Sequence, residues 1–310
     1  MRSAAMLRNR FSMTWRHAIL VLALLALAAG PAIADGRVPY GQGLLWKVEH
    51  AGITPSYVFG TMHVNDPRVR NLPPPVRSAF NGADLAAFEV VFSDAVRKQI
   101  FQAKLLPEGR ALDEILGQRL FDEVADLAAH TGIDRDRLRR MKPWAVLVSL
   151  YYPQGEIARF SVGELPLDVW MQTDAQSRGA AIFGLETAEE QLTIFDEIPE
   201  ADQITMLRDS TATIRRIDEY IENMTQLYIA GDIGTLYTQF FDEVAASNAA
   251  YARTFAVKLV NERNRKMVER MEDLLRQGGA FIAVGALHLP GEQGILRLLQ
   301  RQGYGIVRVY

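Results

Sequence analysis

Val58-Phe59-Gly60-Thr61-Met62-His63-Val64 and Ala283-Val284-Gly285-Ala286-Leu287-His288-Leu289 carry one pattern at opposite ends of the 310-residue chain. Each runs apolar residues into Gly, a small residue, an apolar residue, His, then an apolar residue. The apolar run reads as a buried strand, and the glycine marks its end or a close backbone approach. Each histidine therefore leaves the end of a core strand, at the edge where α/β folds place their ligands. Two imidazoles brought to one edge can form a site.

A single histidine beside a core strand is more often a satisfied structural residue than a ligand. Two in matching contexts make that account less economical. Glu89 interrupts the otherwise apolar strand Leu85-Ala86-Ala87-Phe88-Glu89-Val90-Val91, and Glu186 follows Ile182-Phe183-Gly184-Leu185 in the same manner. A carboxylate in a buried run is costly unless paired or bound to a metal; otherwise it faces solvent at the strand end. Two His and two Glu at strand termini suit a divalent cation such as zinc, manganese or cobalt. The same four suit a metal-free histidine base oriented by a carboxylate. Spacing does not separate the two.

Working outward, Leu44 to Val48 and Ser56 to Met62 read as a hairpin around Gly52-Ile53-Thr54-Pro55. Further strands are expected at Asp84 to Phe92, Ala180 to Leu185 (a core strand), Gly279 to Ala286 and Gly305 to Val309. Between them the pattern is helical: Asp94 to about Arg140, a helix opened by Lys142-Pro143-Trp144, and Ala188 to Gln277 with breaks near Pro199 and Gly231. No Ser/Gly-rich linker divides the chain. One α/β domain with a large helical insertion is the simplest architecture.

The first 34 residues read as a signal peptide. Arg8, Arg10 and Arg16 form a basic region, Ala18 to Ala29 an apolar one, and Ala32-Ile33-Ala34 a cleavage site before Asp35. The apolar run is short for a bilayer span, so the expected product is a periplasmic or secreted domain of residues 35–310 without a stable membrane span. Losing four arginines leaves 30 basic against 37 acidic residues, a net charge of about −7, which argues against nucleic acid as partner. The chain has no cysteine, so thiolate chemistry and disulfides are excluded.

His50 and His130 lie on polar stretches and read as exposed. Asp168 and the pair Arg263-Asn264 are secondary candidates. Arg263 would hold a substrate carboxylate or an oxyanion; on a helix, an ordinary surface ion pair is the competing account. Trp144 reads as core or pocket wall. There is no phosphate-cradling loop, Gly-x-Ser-x-Gly elbow or haem-attachment motif.

The residues together resemble the TraB/GumN family, which includes the Tiki-type proteases. The matching pieces are Leu45-Trp46-Lys47-Val48, Gly60-Thr61-Met62-His63, Glu89, Lys142-Pro143-Trp144, Gly184-Leu185-Glu186-Thr187 with Gln191, Arg263-Asn264, and Val284-Gly285-Ala286-Leu287-His288-Leu289-Pro290-Gly291 with Gly303-Tyr304. At the family's Asp position, Asp168 follows Pro166-Leu167 rather than a Gly-Val-like pair. The resemblance implies a mixed sheet flanked by helices, similar to erythromycin-esterase-like and haem-binding ChaN-like proteins. It also implies that both Gly-x-x-His motifs and the glutamates face one cleft, and that a metal-dependent peptidase-like activity is expected.

The leading expectation is an exported hydrolase with His63, Glu89 and His288 as metal ligands, Glu186 as a fourth ligand or general base, and Arg263 as its catalytic companion, acting on a peptide or small-molecule substrate. The rivals are a non-catalytic periplasmic binding protein for peptide, haem or saccharide, and a metal-free esterase-like hydrolase with His63 as base.

Overall fold

A computed structural model describes residues 38–310. The expected signal peptide and its cleavage site lie outside the described residues. The two Gly-x-x-His segments end neighbouring strands of one six-stranded mixed sheet, in the order β4-β3-β5-β2-β1-β6. The strands are β1 (Leu45–Glu49), β2 (Ser56–Thr61), β3 (Leu85–Phe88), β4 (Ala181–Gly184), β5 (Ala280–Gly285) and β6 (Gly305–Arg308). β1 and β2 form the expected antiparallel hairpin, Leu45 opposite Phe59, and β6 pairs antiparallel with β1 on the far edge.

The parallel half of the sheet positions the site. β2 pairs with β5, β5 with β3, and β3 with β4, all parallel. Their carboxyl ends therefore share one edge, the place where open α/β sheets present ligand-binding groups. Thr61 is opposite Gly285, so His63 comes two residues past that pair on one strand and His288 three past it on the other. Phe88 is opposite both Ala283 and Gly184, so Glu89 and Glu186 leave the same edge.

Two readings of the strands change. The strand expected to carry Glu89 ends at Phe88, and the carboxylate stands just beyond it. β4 is an edge strand with exposed residues rather than a core strand: Phe183 keeps 43% of its surface. Of its four residues only Ile182 is even half-buried. The central strands behave as buried parallel strands should, with every residue of β3 and β5 buried. Phe281 of β5 stacks edge-on against Phe80 at 5.2 Å and packs against Phe59 at 5.9 Å.

Apart from Pro67–Arg70, Pro74–Asn81 and Ile295–Arg301, the helices form two blocks rather than one. The first lies between β3 and β4 and includes Asp94–Ala103, Pro143–Leu150 and Leu167–Ser177. The second lies between β4 and β5, from Ala188–Asp196 to Arg263–Gln277, and breaks at Pro199 and Gly231 as the pattern predicts. No helix among the described residues is long and apolar enough to cross a membrane.

Candidate active site

Each segment that carries a candidate side chain is fastened locally. After β2, the Leu167 amide donates to the Val64 carbonyl (3.0 Å), and Asn65 Nδ2 donates to the Glu156 carbonyl (3.0 Å). The first of these bonds sets Asp168 beside the His63 ring, with Nδ1 3.2 Å from Oδ1. After β5, residues Ala286–His288 form a single 3₁₀ turn. Gly60 is what lets that turn approach: a Cβ there would stand 2.9 Å from Leu289 Cδ1 and 3.1 Å from Ala286 Cα. Tyr228 adds a 2.8 Å hydrogen bond to the Gly60 carbonyl.

Glu186 is followed by a capping box: Thr187 accepts from the Glu190 amide while Glu190 accepts from the Thr187 amide. The box starts the helix Ala188–Asp196, whose buried Gln191 turns back toward the sheet edge. Arg263 and Asn264 follow a π-helical stretch, Val257–Glu262, set into an otherwise α-helical run. Single π turns often mark functional positions. Here the Leu259 carbonyl accepts from Arg263 Nη1 at 3.2 Å.

Arg263 is the hub. It is not the surface residue a helical arginine suggests: it is 2% exposed. Its Nη2 lies 2.6 Å from Glu89 Oε2 and 2.7 Å from Glu186 Oε2, and its Nε is 3.0 Å from both Glu186 oxygens. Gln191 Nε2 donates to the same two carboxylates, at 3.2 Å to Glu89 and 3.0 Å to Glu186. Both Glu186 oxygens and every Arg263 nitrogen are thus engaged. Burial alone would raise the Glu89 carboxyl, but the charges of Arg263 and His63 and the Gly285 amide hold it well below the usual carboxylate range.

Glu89 Oε1 faces the other way. It accepts from the Gly285 amide at 2.6 Å and stands 3.7 Å from His288 Nε2. Asn264 Oδ1 lies 2.6 Å from His288 Nδ1 and, as an acceptor, places the ring proton there. The Asn264 amide nitrogen is itself held by the Gln293 carbonyl (2.8 Å), which fixes that orientation. Burial and the charge of Arg263 push His288 down to about 3, so it is neutral at neutral pH.

His63 behaves oppositely. Burial disfavours its charged form, but the Asp168 and Glu89 carboxylates outweigh it and raise the ring to about 9. His63 Nε2 is buried and has no hydrogen-bond partner among the described residues. A Cβ on Gly285 would stand 3.2 Å from Glu89 Oε1, 3.4 Å from His288 Cδ2 and 3.9 Å from His63 Nε2. Glycine at this position keeps open the point around which these three groups gather.

His63 and Glu89 line a cleft whose empty space, counted with the solvent at its open mouth, is about 740 Å³. Phe92, Ile100, Trp144, Leu192 and Phe195 form its apolar wall. Trp144 is buried, as expected, with its indole N–H on Asp196 at 2.8 Å. Of the bland histidines, His50 is exposed. His130 is half-buried, its nitrogens 2.6 Å from the Leu127 carbonyl and 3.0 Å from that of Tyr152.

Behind His63, burial pushes the Glu156 carboxyl up to about 8, against the pull of Arg159. Glu156 thus holds a proton in the fold that the unfolded chain has already released. Its contribution is fully present below the unfolded value of about 4.5 and is lost as pH rises through about 8. Glu156→Gln is therefore expected to match wild type at pH 5 and to exceed it by about 2–4 kcal/mol at pH 8.5. Urea unfolding at the two pH values checks this; an advantage that shrinks with rising pH contradicts it.

The family model for the TraB/PrgY/gumN family matches residues 44–308, and the chain belongs to that family. It is 22% identical over 94% of its length to a metalloprotease TIKI homolog of Amphimedon queenslandica, of which it covers 66%. It is 24% identical over 86% of its length to metalloprotease TIKI2 of Danio rerio, covering 60% of that protein. Against metalloprotease TIKI1 of Homo sapiens the identity is 23% over 86% of the chain, covering 61% of the relative. The chain thus spans somewhat under two thirds of the relatives it matches. No solved structure matches.

Proposed function

We propose that this chain is an exported, divalent-metal-dependent hydrolase of peptide bonds, with His63, His288 and Glu89 as the residues that would hold the ion. One observation carries the reading. His63 Nε2, the Cδ2 edge of the His288 ring and Glu89 Oε1 gather around the space left by Gly285, and the far sides of these groups are held by Asp168, Asn264 and Arg263 with Gln191.

The donor chemistry fits a metal. His288 Nε2 and Glu89 Oε1 are both acceptors and face each other at 3.7 Å, an arrangement a cation between them would stabilise. The outward imidazole nitrogens rest on oxygens, as metal-ligating histidines usually do. Among the described residues no three His, Asp or Glu side chains already stand close enough to hold an ion. The three must draw inward to do so. When bound, such an ion supplies Lewis acidity, polarising a carbonyl and acidifying water.

The remaining roles belong to the chain. Asp168 would orient His63 through Nδ1, and Asn264 would orient His288. Glu186 and Arg263, engaged with each other, act in this proposal as positioning residues: they fix Glu89 Oε2 so that Oε1 faces the cleft. The apolar wall would take a substrate side chain and exclude water. The relatives' name, metalloprotease, supports the same reading.

The test uses exported protein. Intact mass is expected to show a chain beginning at Asp35; retention of the first 34 residues overturns processing. Metal analysis is expected to find roughly one divalent ion per chain, and a chelator to stop cleavage of a peptide library with little unfolding. Metal-free cleavage would favour the histidine-base enzyme. A metal-free, inactive chain that retains peptide, haem or saccharide would establish the binding protein.

A further inference from the structure

The cleft contains a charge that the metal-site reading does not use. Lys104 lines it together with His63, Glu89 and the apolar wall. It follows the helix Asp94–Ala103, and its backbone is pinned to the entry of the Trp144 helix. The Lys104 carbonyl accepts from the Lys142 amide (2.9 Å), the Leu106 amide donates to Arg140 (2.8 Å), and Leu105 bridges Met141. The lysine is 6% exposed, and among the described residues its ammonium has no hydrogen bond or ion pair.

A buried ammonium without a counter-ion is costly, and lysines are almost never fully buried unless paired. The groups that act on Lys104 are its own burial and Arg137, a like charge; Glu89 and Asp168 are not among them. Together they lower its pKa to about 8, which leaves it mostly charged at neutral pH. No anion among the described residues pairs with Lys104, and a ligand entering the cleft can supply one; the lining that Lys104 shares includes Phe92, Ile100, Trp144, Leu192 and Phe195. A ligand that satisfies both features carries a carboxylate next to a large apolar group.

We propose that Lys104 receives the free C-terminal carboxylate of a peptide whose last side chain is apolar and fills this wall, with the preceding carbonyl toward His63, Glu89 and His288. The placement rests on the hydrolase reading above and makes Lys104 the specificity-determining residue of the same cleft. An acidic side chain is a poorer occupant, because it brings the charge without the apolar surface the wall would bury. Lysine also suits the task as a compact point charge, which needs no planar two-point partner.

The probes are the tripeptide Ala-Ala-Phe, its C-terminal amide, and Ala-Ala-Glu with an amidated C-terminus, titrated calorimetrically into the exported chain at pH 7. Wild type is expected to bind the free acid at least ten-fold more tightly than the amide. Lys104→Met is expected to bind acid and amide equally, with the affinity of wild type for the amide. Its melting temperature should not fall, since it removes an unpaired buried charge; Lys104→Gln serves if the first variant fails to fold. Lys104→Arg should restore part of the preference.

Equal binding of acid and amide by wild type, a preference that persists in Lys104→Met, tighter binding of the Glu peptide, or no binding of any probe would each overturn the assignment. The hydrolase reading fails separately. Cleavage of acid and amide at equal rates rejects Lys104 and keeps the hydrolase. Acid-selective binding without cleavage keeps Lys104 and rejects the hydrolase.

Discussion

Alanine at His63 or at His288 is expected to abolish divalent-ion binding, and peptide cleavage with it, while the chain stays folded. Either change removes one of three donors and leaves an incomplete coordination shell. The stability cost should be modest, about 1–3 kcal/mol, because each ring gives up one partner, the Asp168 carboxylate for His63 and the hydrogen-bonded Asn264 for His288. Asn264→Ala grades the argument. It leaves every donor in place but frees the His288 ring to turn, so metal affinity should fall about 10- to 100-fold rather than vanish. His50→Ala, at an exposed position, should change nothing. Metal content and library cleavage on the four variants decide the matter. Full metal content in both His63→Ala and His288→Ala would remove the proposed ligand set, whatever the activity did.

The convergence at the sheet edge was readable because it depends on chain direction and strand order. A Gly-x-x-His after an apolar run says where a strand stops, and a parallel neighbour sends the second histidine to the same edge. The hairpin and both glutamates were legible for the same reason. What the pattern could not show was which donor each carboxylate would meet. Arg263 looked like any arginine on a charged helix, because its burial depends on tertiary packing and on the π turn before it. Gln191 stood out only through the family resemblance; one helical turn past the capping box, its amide ties Glu89 to Glu186. Lys104 carried no signal, since a lysine at a helix end is ordinarily solvated. β4 misled because a short apolar run fits an exposed edge strand as well as a core strand.

Arg263→Met is expected to be the most destabilising single change in the site. In the wild type one guanidinium lies between two carboxylates, and all three groups are buried. Removing it leaves Glu89 and Glu186 facing each other with only the Gln191 amide between them. Breaking a buried ion pair from one side costs about 3–5 kcal/mol, which for a chain of this size lowers the melting temperature by roughly 10 °C. The pH dependence carries its own sign. Glu89 is held below its ordinary range in the wild type, so its contribution is present above the unfolded value of about 4.5 and fades as pH falls. Without Arg263 the paired carboxylates favour a shared proton instead, so the variant gains relative to wild type as pH falls. The gap between the two should therefore be wide at pH 8 and narrow near pH 4. Arg263→Lys should recover little, because a single ammonium cannot reproduce the fork that reaches both carboxylates. The combination Glu89→Gln, Glu186→Gln and Arg263→Met should recover much of the loss, since no unpaired charge remains buried. Thermal unfolding of these variants at the two pH values is the measurement. An Arg263→Met protein that melts within about 2 °C of wild type at pH 8 would mean that the two carboxylates find other partners, and that Glu89 is not held in place by Arg263.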